Sequence, residues 1–191
     1  VTPELVEFAH YYSKSARILS AITQEYMPLS NDLPTVFFRI SDNDISIVIQ
    51  HPNGNETVLH QGISPLFESN PNTIILELDD FSFTFDKKGM LSLVMKQNAF
   101  NVEVVSKKPL VLDKKLEVLG SVIIKAPRTN NNQEIIAREI IVKGVLVNRG
   151  TLLANQLLLQ HASGHARAIT LDNEQGKIMT RGAGKLFVDH A

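Results

Sequence analysis

Ile135-Ile136-Ala137-Arg138-Glu139-Ile140-Ile141-Val142-Lys143, written above Leu152-Leu153-Ala154-Asn155-Gln156-Leu157-Leu158-Leu159-Gln160, places aliphatic on aliphatic and polar on polar at one fixed offset, which carries Ile135 to Leu152. Upstream, Val118-Leu119-Gly120-Ser121-Val122-Ile123-Ile124 keeps the same offset. Each copy is two short aliphatic clusters divided by a small or polar bend. Gly144-Val145-Leu146-Val147-Asn148-Arg149-Gly150 adds a third cluster between glycines. Clusters this short cannot make helices, which need about ten residues or more. Short strands recurring every 20 or so residues are the signature of a β-solenoid, whose rungs bury their apolar sides only by stacking. Inward side chains of successive rungs would then sit about 4.8 Å apart in continuous columns.

The same spacing sets finer expectations. Asn148 and Asn155 are expected at corners, in left-handed geometry. The polar run 128–133, with Asn130-Asn131-Asn132, reads as a corner insertion between rungs. Ile169-Thr170-Leu171-Asp172-Asn173 continues the offset as a fourth copy, and Lys185-Leu186-Phe187-Val188-Asp189 supplies a fifth.

Val147-Asn148-Arg149-Gly150-Thr151-Leu152-Leu153-Ala154-Asn155-Gln156-Leu157-Leu158-Leu159 resembles the haemagglutinin-type repeats of filamentous adhesins secreted by Gram-negative bacteria. In those repeats an Asn-x-Gly-Thr-aliphatic corner leads to a small residue and a second aliphatic strand. The resemblance covers residues 116–189 and implies a right-handed parallel β-helix that mediates surface adhesion or carries a terminal toxin. The chain lacks the Gly- and Asn-dense composition of the long arrays. Its spacing is also similar to that of the bactofilins, cytoplasmic β-helical filament proteins.

Upstream of Pro109 the period changes. Thr2-Pro3-Glu4 followed by Leu5, Phe8, Ala9, Tyr12, Ala16, Leu19, Ile22 and Tyr26 predicts a capped amphipathic helix over about residues 3–26. From Pro34 onward, short alternating runs predict hairpins. Asn53-Gly54 and Lys87-Lys88-Gly89 mark two turns, and Phe81, Phe83 and Phe85 fall on one core-facing side. The expected fold is therefore mainly β. Residues 1–108 form an N-terminal helix plus antiparallel meander, a cap or small α+β domain, and residues 109–191 form the parallel β-solenoid.

The 191 residues carry a formal charge of −1, with 43% hydrophobic residues and no cysteine. Disulfides, cysteine-based zinc sites and thiol nucleophiles are thereby excluded. No window reaches the roughly 18 apolar residues of a membrane helix. The neutral balance argues against a nucleic-acid binder. It conceals an asymmetry, because residues 1–108 hold 13 acidic and 8 basic side chains, whereas 109–191 hold 7 and 11. The chain opens on Val1 without a charged-then-apolar leader, which reads as a cytosolic start or a piece of a longer protein. Absent cysteines favour export to an oxidising space.

His161, His165, Arg167, Asp172 and Glu174 are the candidate ligand-binding residues, able to line a groove for an acidic or glycan ligand. The His161/His165 spacing suits a metal on a helix, but Ser163-Gly164 makes it a turn. Asp79, Asp80 and Asp86 are read as a solvated hairpin end rather than a cation site. Gly182-Ala183-Gly184-Lys185 lacks the first glycine and the hydroxyl residue of a phosphate loop. No catalytic set, cofactor or metal is expected. The anticipated function is a non-catalytic structural or adhesive module of a larger secreted or cell-surface bacterial protein, binding a protein or glycan on a surface without nucleic acid or membrane insertion. Homo-assembly by end-to-end stacking, as in a cytoplasmic bactofilin-like filament, and a polysaccharide-acting β-helix enzyme are the alternatives.

Overall fold

A computed structural model describes residues 32–41, 44–61, 73–86, 88–160 and 171–188. The helix expected over residues 3–26 lies outside them. Among the described residues the protein is mainly β, with 15 strands joined in one sheet. Ten of its fourteen strand pairings are parallel.

The parallel pairings form three ladders. Ladder A joins β1 (Thr35–Ile40), β7 (Asn101–Ser106), the first half of β10 (Ser121–Asn131), the first half of β12 (Glu139–Asn148), the second half of β13 (Thr151–Gln160) and the end of β15 (Lys177–Val188). Ladder B joins β6 (Met90–Met95), β8 (Leu110–Leu112), the second halves of β10 and β12, and β14 (Leu171–Asp172). Ladder C joins β9 (Leu116–Glu117), β11 (Glu134–Ile136) and the first halves of β13 and β15. From β7 onward the chain visits the ladders in the order A, B, C, repeatedly.

Alternation along each ladder selects the core. Val102, Val122, Ile140 and Leu157 stack in register on ladder A with no exposed surface. Leu116, Ile135, Leu152 and Ile178 do the same on ladder C, the first three at most 3% exposed. Each such column gains about 25 cal/mol for every Å² removed from water, which short strands cannot achieve singly.

The expected offset holds where the aliphatic match is closest, for Ile135 on Leu152 and Ile140 on Leu157. It holds again for Arg128 on Val145 and Asn131 on Asn148, and it stretches at the other pairings. Between β10 and β12 it is one residue longer at the Val122/Ile140 pair than at the Arg128/Val145 pair, because Ala126-Pro127 bulges out of β10 opposite Gly144. The step from Val102 to Val122 is longer again. Leu171 pairs with Leu146 and Ile178 with Leu152, so the fourth copy is displaced well beyond the expected offset. Residues 185–188 pair with 156–159.

Asparagines play a different part from the one expected. Residues 128–131 belong to β10 rather than to a corner loop, and Asn131 is fully buried. Its Nδ2 donates to Asn148 Oδ1 at 2.9 Å, and Asn148 Nδ2 donates to Asn173 Oδ1 at 2.7 Å and to the Lys177 carbonyl at 2.9 Å. Three asparagines thus stack beside the aliphatic columns. Among the described residues only glycines have positive φ, so Asn148 and Asn155 are not left-handed; Gly144, at φ 111°, takes that geometry.

Before the repeats, ladder A is extended by β2 (Ile45–Gln50) and β3 (Glu56–His60), β2 antiparallel to β1 and β3 to β2. Gly54, at φ 89°, closes the second turn as the Asn53-Gly54 pair predicts. Ladder B is extended by β5 (Phe81–Asp86) and β4 (Thr73–Glu77), β5 antiparallel to β6 and β4 to β5. Phe81, Phe83 and Phe85 are buried as a row. Phe38 of β1 stacks on Phe83 with centroids 5.2 Å apart and meets Phe81 edge-on at 5.4 Å, joining the two antiparallel extensions face to face.

Candidate functional site

Strand alternation that turns Val36, Phe38, Val102, Val104, Val122 and Ile124 inward turns Phe37, Glu103 and Ile123 outward. Register places Glu103 between Phe37 and Ile123. The turn after β2 then rises beside them as a wall of Gln50, His51, Pro52 and Gly54, and Leu33 closes the near end. The result is an open groove of about 390 Å³, within the range of small-molecule sites, about 300–1,000 Å³.

The groove floor is held rigidly. Asn101 Oδ1 accepts the Ser121 backbone N–H at 2.8 Å, and Asn101 Nδ2 reaches Thr35 Oγ1 at 3.3 Å. Ser121 Oγ donates to Glu139 Oε2 at 2.8 Å. Glu139 is 1% exposed and faces Arg138 Nε at 3.2 Å, so a buried carboxylate is held by a hydroxyl and a guanidinium. These groups fix the corner from which ladder A starts.

Glu103, Gln50 and His51 supply polar chemistry around half-buried Phe37. The Glu103 carboxylate lies 3.4 Å from Lys125 Nζ, and its side chain is only 14% exposed. His51 Nε2 and Thr57 Oγ1 are 3.2 Å apart, which anchors the imidazole on the wall. An aromatic face carries a negative quadrupole that attracts polarised C–H groups, while carboxylate, amide and imidazole bond hydroxyls. This combination suits a neutral, hydroxyl-rich ring better than an anion.

The residues expected from sequence stand elsewhere. Asp172 lies exposed on β14, and its Oδ1 accepts the Glu174 N–H at 3.1 Å. His161, His165 and Arg167 lie outside the described residues, so the five are not seen as one cluster. At the other hairpin, Asp86 Oδ1 accepts the N–H groups of Lys88 and Met90, both at 2.9 Å, which shapes the turn at Gly89. Among the described residues no three His, Asp or Glu side chains are grouped to hold a metal. Sequence reasoning missed the groove because Phe37-Phe38 reads as one apolar pair, and only the parallel pairing of β1 with β7 brings Glu103 beside Phe37. The alternation Val102-Glu103-Val104 was the available signal that Glu103 faces outward.

Compared with known proteins, the chain matches no family model, no curated protein and no solved structure.

Proposed function

We propose that the chain is a β-solenoid acting as a non-catalytic structural and adhesive module of a larger secreted or cell-surface bacterial protein, with a surface glycan as its ligand. The A, B, C order of the ladders supports this reading, because a chain that returns to each ladder in parallel after every circuit is wound as a coil. The resemblance of residues 147–159 to haemagglutinin-type repeats points the same way. The observation that carries the ligand assignment is the groove on ladder A, where Phe37 offers a stacking face and Glu103, Gln50 and His51 offer hydroxyl partners.

Glycan-array binding by the full chain, compared with Phe37→Ala and Glu103→Gln, tests the proposal. Loss of a reproducible saccharide signal in both variants, with an unchanged circular-dichroism spectrum, is the expected result. A signal that survives both substitutions would remove the groove from the account. Shortening of the bound saccharide would move the protein to the enzyme class.

A further inference from the structure

Asn53-Gly54 is the only asparagine–glycine pair in the sequence, and it forms the tip of the turn that walls the groove. Every residue from His51 to Val58 is exposed. Glycine has no side chain to crowd its own nitrogen, so the carboxamide of a preceding asparagine is open to attack by the backbone. Gly54 stands at φ 89°, and the position a Cβ would take has nothing within 4 Å, which leaves the site open to water. The carboxamide is already polarised. Asn53 Oδ1 accepts the Asn55 N–H at 2.9 Å, a donor placed where negative charge gathers when a nucleophile adds to Cγ. The nucleophile is the Gly54 nitrogen, whose N–H donates to the His51 carbonyl at 2.9 Å. Exposed hydrogen bonds of this kind open locally at little cost, so the bond delays the attack without preventing it. Other asparagines differ. Asn131 and Asn148 are buried with their amides bonded, and Asn55 and Asn98 precede Glu56 and Ala99, whose side chains crowd the next nitrogen.

We propose that Asn53 is a site of spontaneous covalent modification, with water as the co-reactant, and that its conversion opens the groove wall. The Gly54 nitrogen gives its proton to solvent and bonds to Asn53 Cγ. The Cγ–Nδ2 bond breaks, and Nδ2 takes up a proton and leaves as ammonia, which closes a succinimide ring. Water then adds to one of the two ring carbonyls. Cleavage of the new Cγ–N bond yields aspartate, whereas cleavage of the original peptide bond yields isoaspartate, with Gly54 now carried on the side chain. No electrons are exchanged with any other group, so neither oxidant nor reductant is needed.

Isoaspartate lengthens the main chain by one methylene and leaves a carboxylate free. The turn between β2 and β3 has no slack to absorb it, because the His51 N–H donates to the Asn55 carbonyl at 2.8 Å and the Gly54 N–H returns to the His51 carbonyl. Both bonds are lost when the spacing changes. His51, Pro52 and Gly54, the residues of this turn that line the groove, move with it, and the imidazole parts from Thr57 Oγ1. Conversion is read on the turn itself and needs no ligand; its effect on saccharide binding rests on the glycan reading.

Incubation of the full folded chain in warm, mildly alkaline heavy-oxygen water, followed by peptide mapping, tests this. Asn53 should progressively gain the mass of an acid with heavy oxygen and become a substrate for an isoaspartyl-specific carboxyl methyltransferase, while Asn55 and Asn98 stay amides. In the converted chain the His51 N–H should lose its protection from hydrogen exchange, whereas β10 and β12 keep theirs. Asn53→Gln, whose longer side chain must close a larger ring, should abolish the conversion and retain the His51 protection. An unchanged Asn53 after prolonged incubation, conversion of Asn55 or Asn98 at an equal rate, or conversion that leaves the His51 protection intact would overturn the proposal. A saccharide signal that falls with the converted fraction supports both readings, whereas conversion in a chain that never gives such a signal removes the glycan reading alone.

Discussion

Asn148 has no exposed surface, and both ends of its carboxamide are bonded inside the protein. Replacing it by alanine leaves Asn131 Nδ2 its bonds to the Gln133 and Thr151 carbonyls but takes the donor from the Lys177 carbonyl and from Asn173 Oδ1, each costing about 1–3 kcal/mol when left unmet. Chemical denaturation of Asn148→Ala should therefore show a loss of roughly 2–4 kcal/mol. Thr129 offers the opposite case. It stands in the ladder B column between Leu110 and Leu146, fully buried, and its Oγ1 has no hydrogen-bond partner. Thr129→Val keeps the shape and removes the unmet hydroxyl, so the same measurement should show a gain of about 1 kcal/mol. On the exposed β4–β5 hairpin, Glu77 is bonded to Lys96, which follows β6, and this holds its carboxyl below the ordinary range, with Ser82 assisting. A lowered carboxyl value means the contribution is present above the ordinary carboxylate range and fades as pH falls through the folded value. In Lys96→Met the Glu77 titration followed by NMR should move upward, and the acid sensitivity of the hairpin should shrink.

At the scale of elements, the bulge in β10 is the informative irregularity. Pro127 lacks the N–H that a central strand position needs, so Ala126-Pro127 leaves the ladder between Lys125 and Arg128. Gly144 lies opposite, with φ 111°, and a Cβ there would overlap the Ala126 carbonyl. Gly144→Ala should lower the thermal midpoint, the left-handed conformation alone costing about 1–2 kcal/mol. This element also marks how far the sequence was legible. The aliphatic clusters and hairpin turns are local signals, and strands stand where Ile140-Ile141-Val142, Leu157-Leu158-Leu159, Asn53-Gly54 and Phe81 to Phe85 place them. Residues 128–131 were hidden, because a polar run whose Asn131 is buried and bonded across strands to Asn148 looks like a loop in one dimension. The offset beyond Gln160 was hidden too, since the register that sets Leu171 on Leu146 and Ile178 on Leu152 leaves no periodic trace in the sequence.

For the whole molecule, long-range pairing sets what a sequence can disclose. The partnership of β1 with β7 joins Thr35 to Asn101 across two antiparallel extensions, and no periodicity connects them. Yet that pairing creates the groove, so the candidate site became visible only with the fold. The central claim is that three ladders wind as one coil, and disulfide trapping in this naturally cysteine-free chain tests it most directly. Three double variants place cysteines at register partners on adjacent parallel strands: Lys125→Cys with Lys143→Cys on ladder A, Arg128→Cys with Val145→Cys on ladder B, and Ile136→Cys with Leu153→Cys on ladder C. Neighbouring strands lie about 4.8 Å apart, inside the 4.4–6.8 Å or so between Cα atoms that a disulfide spans. All three pairs should close within one chain and leave the folded spectrum intact. Closure on one ladder only, or equal closure of pairs displaced by a residue, would contradict the coil.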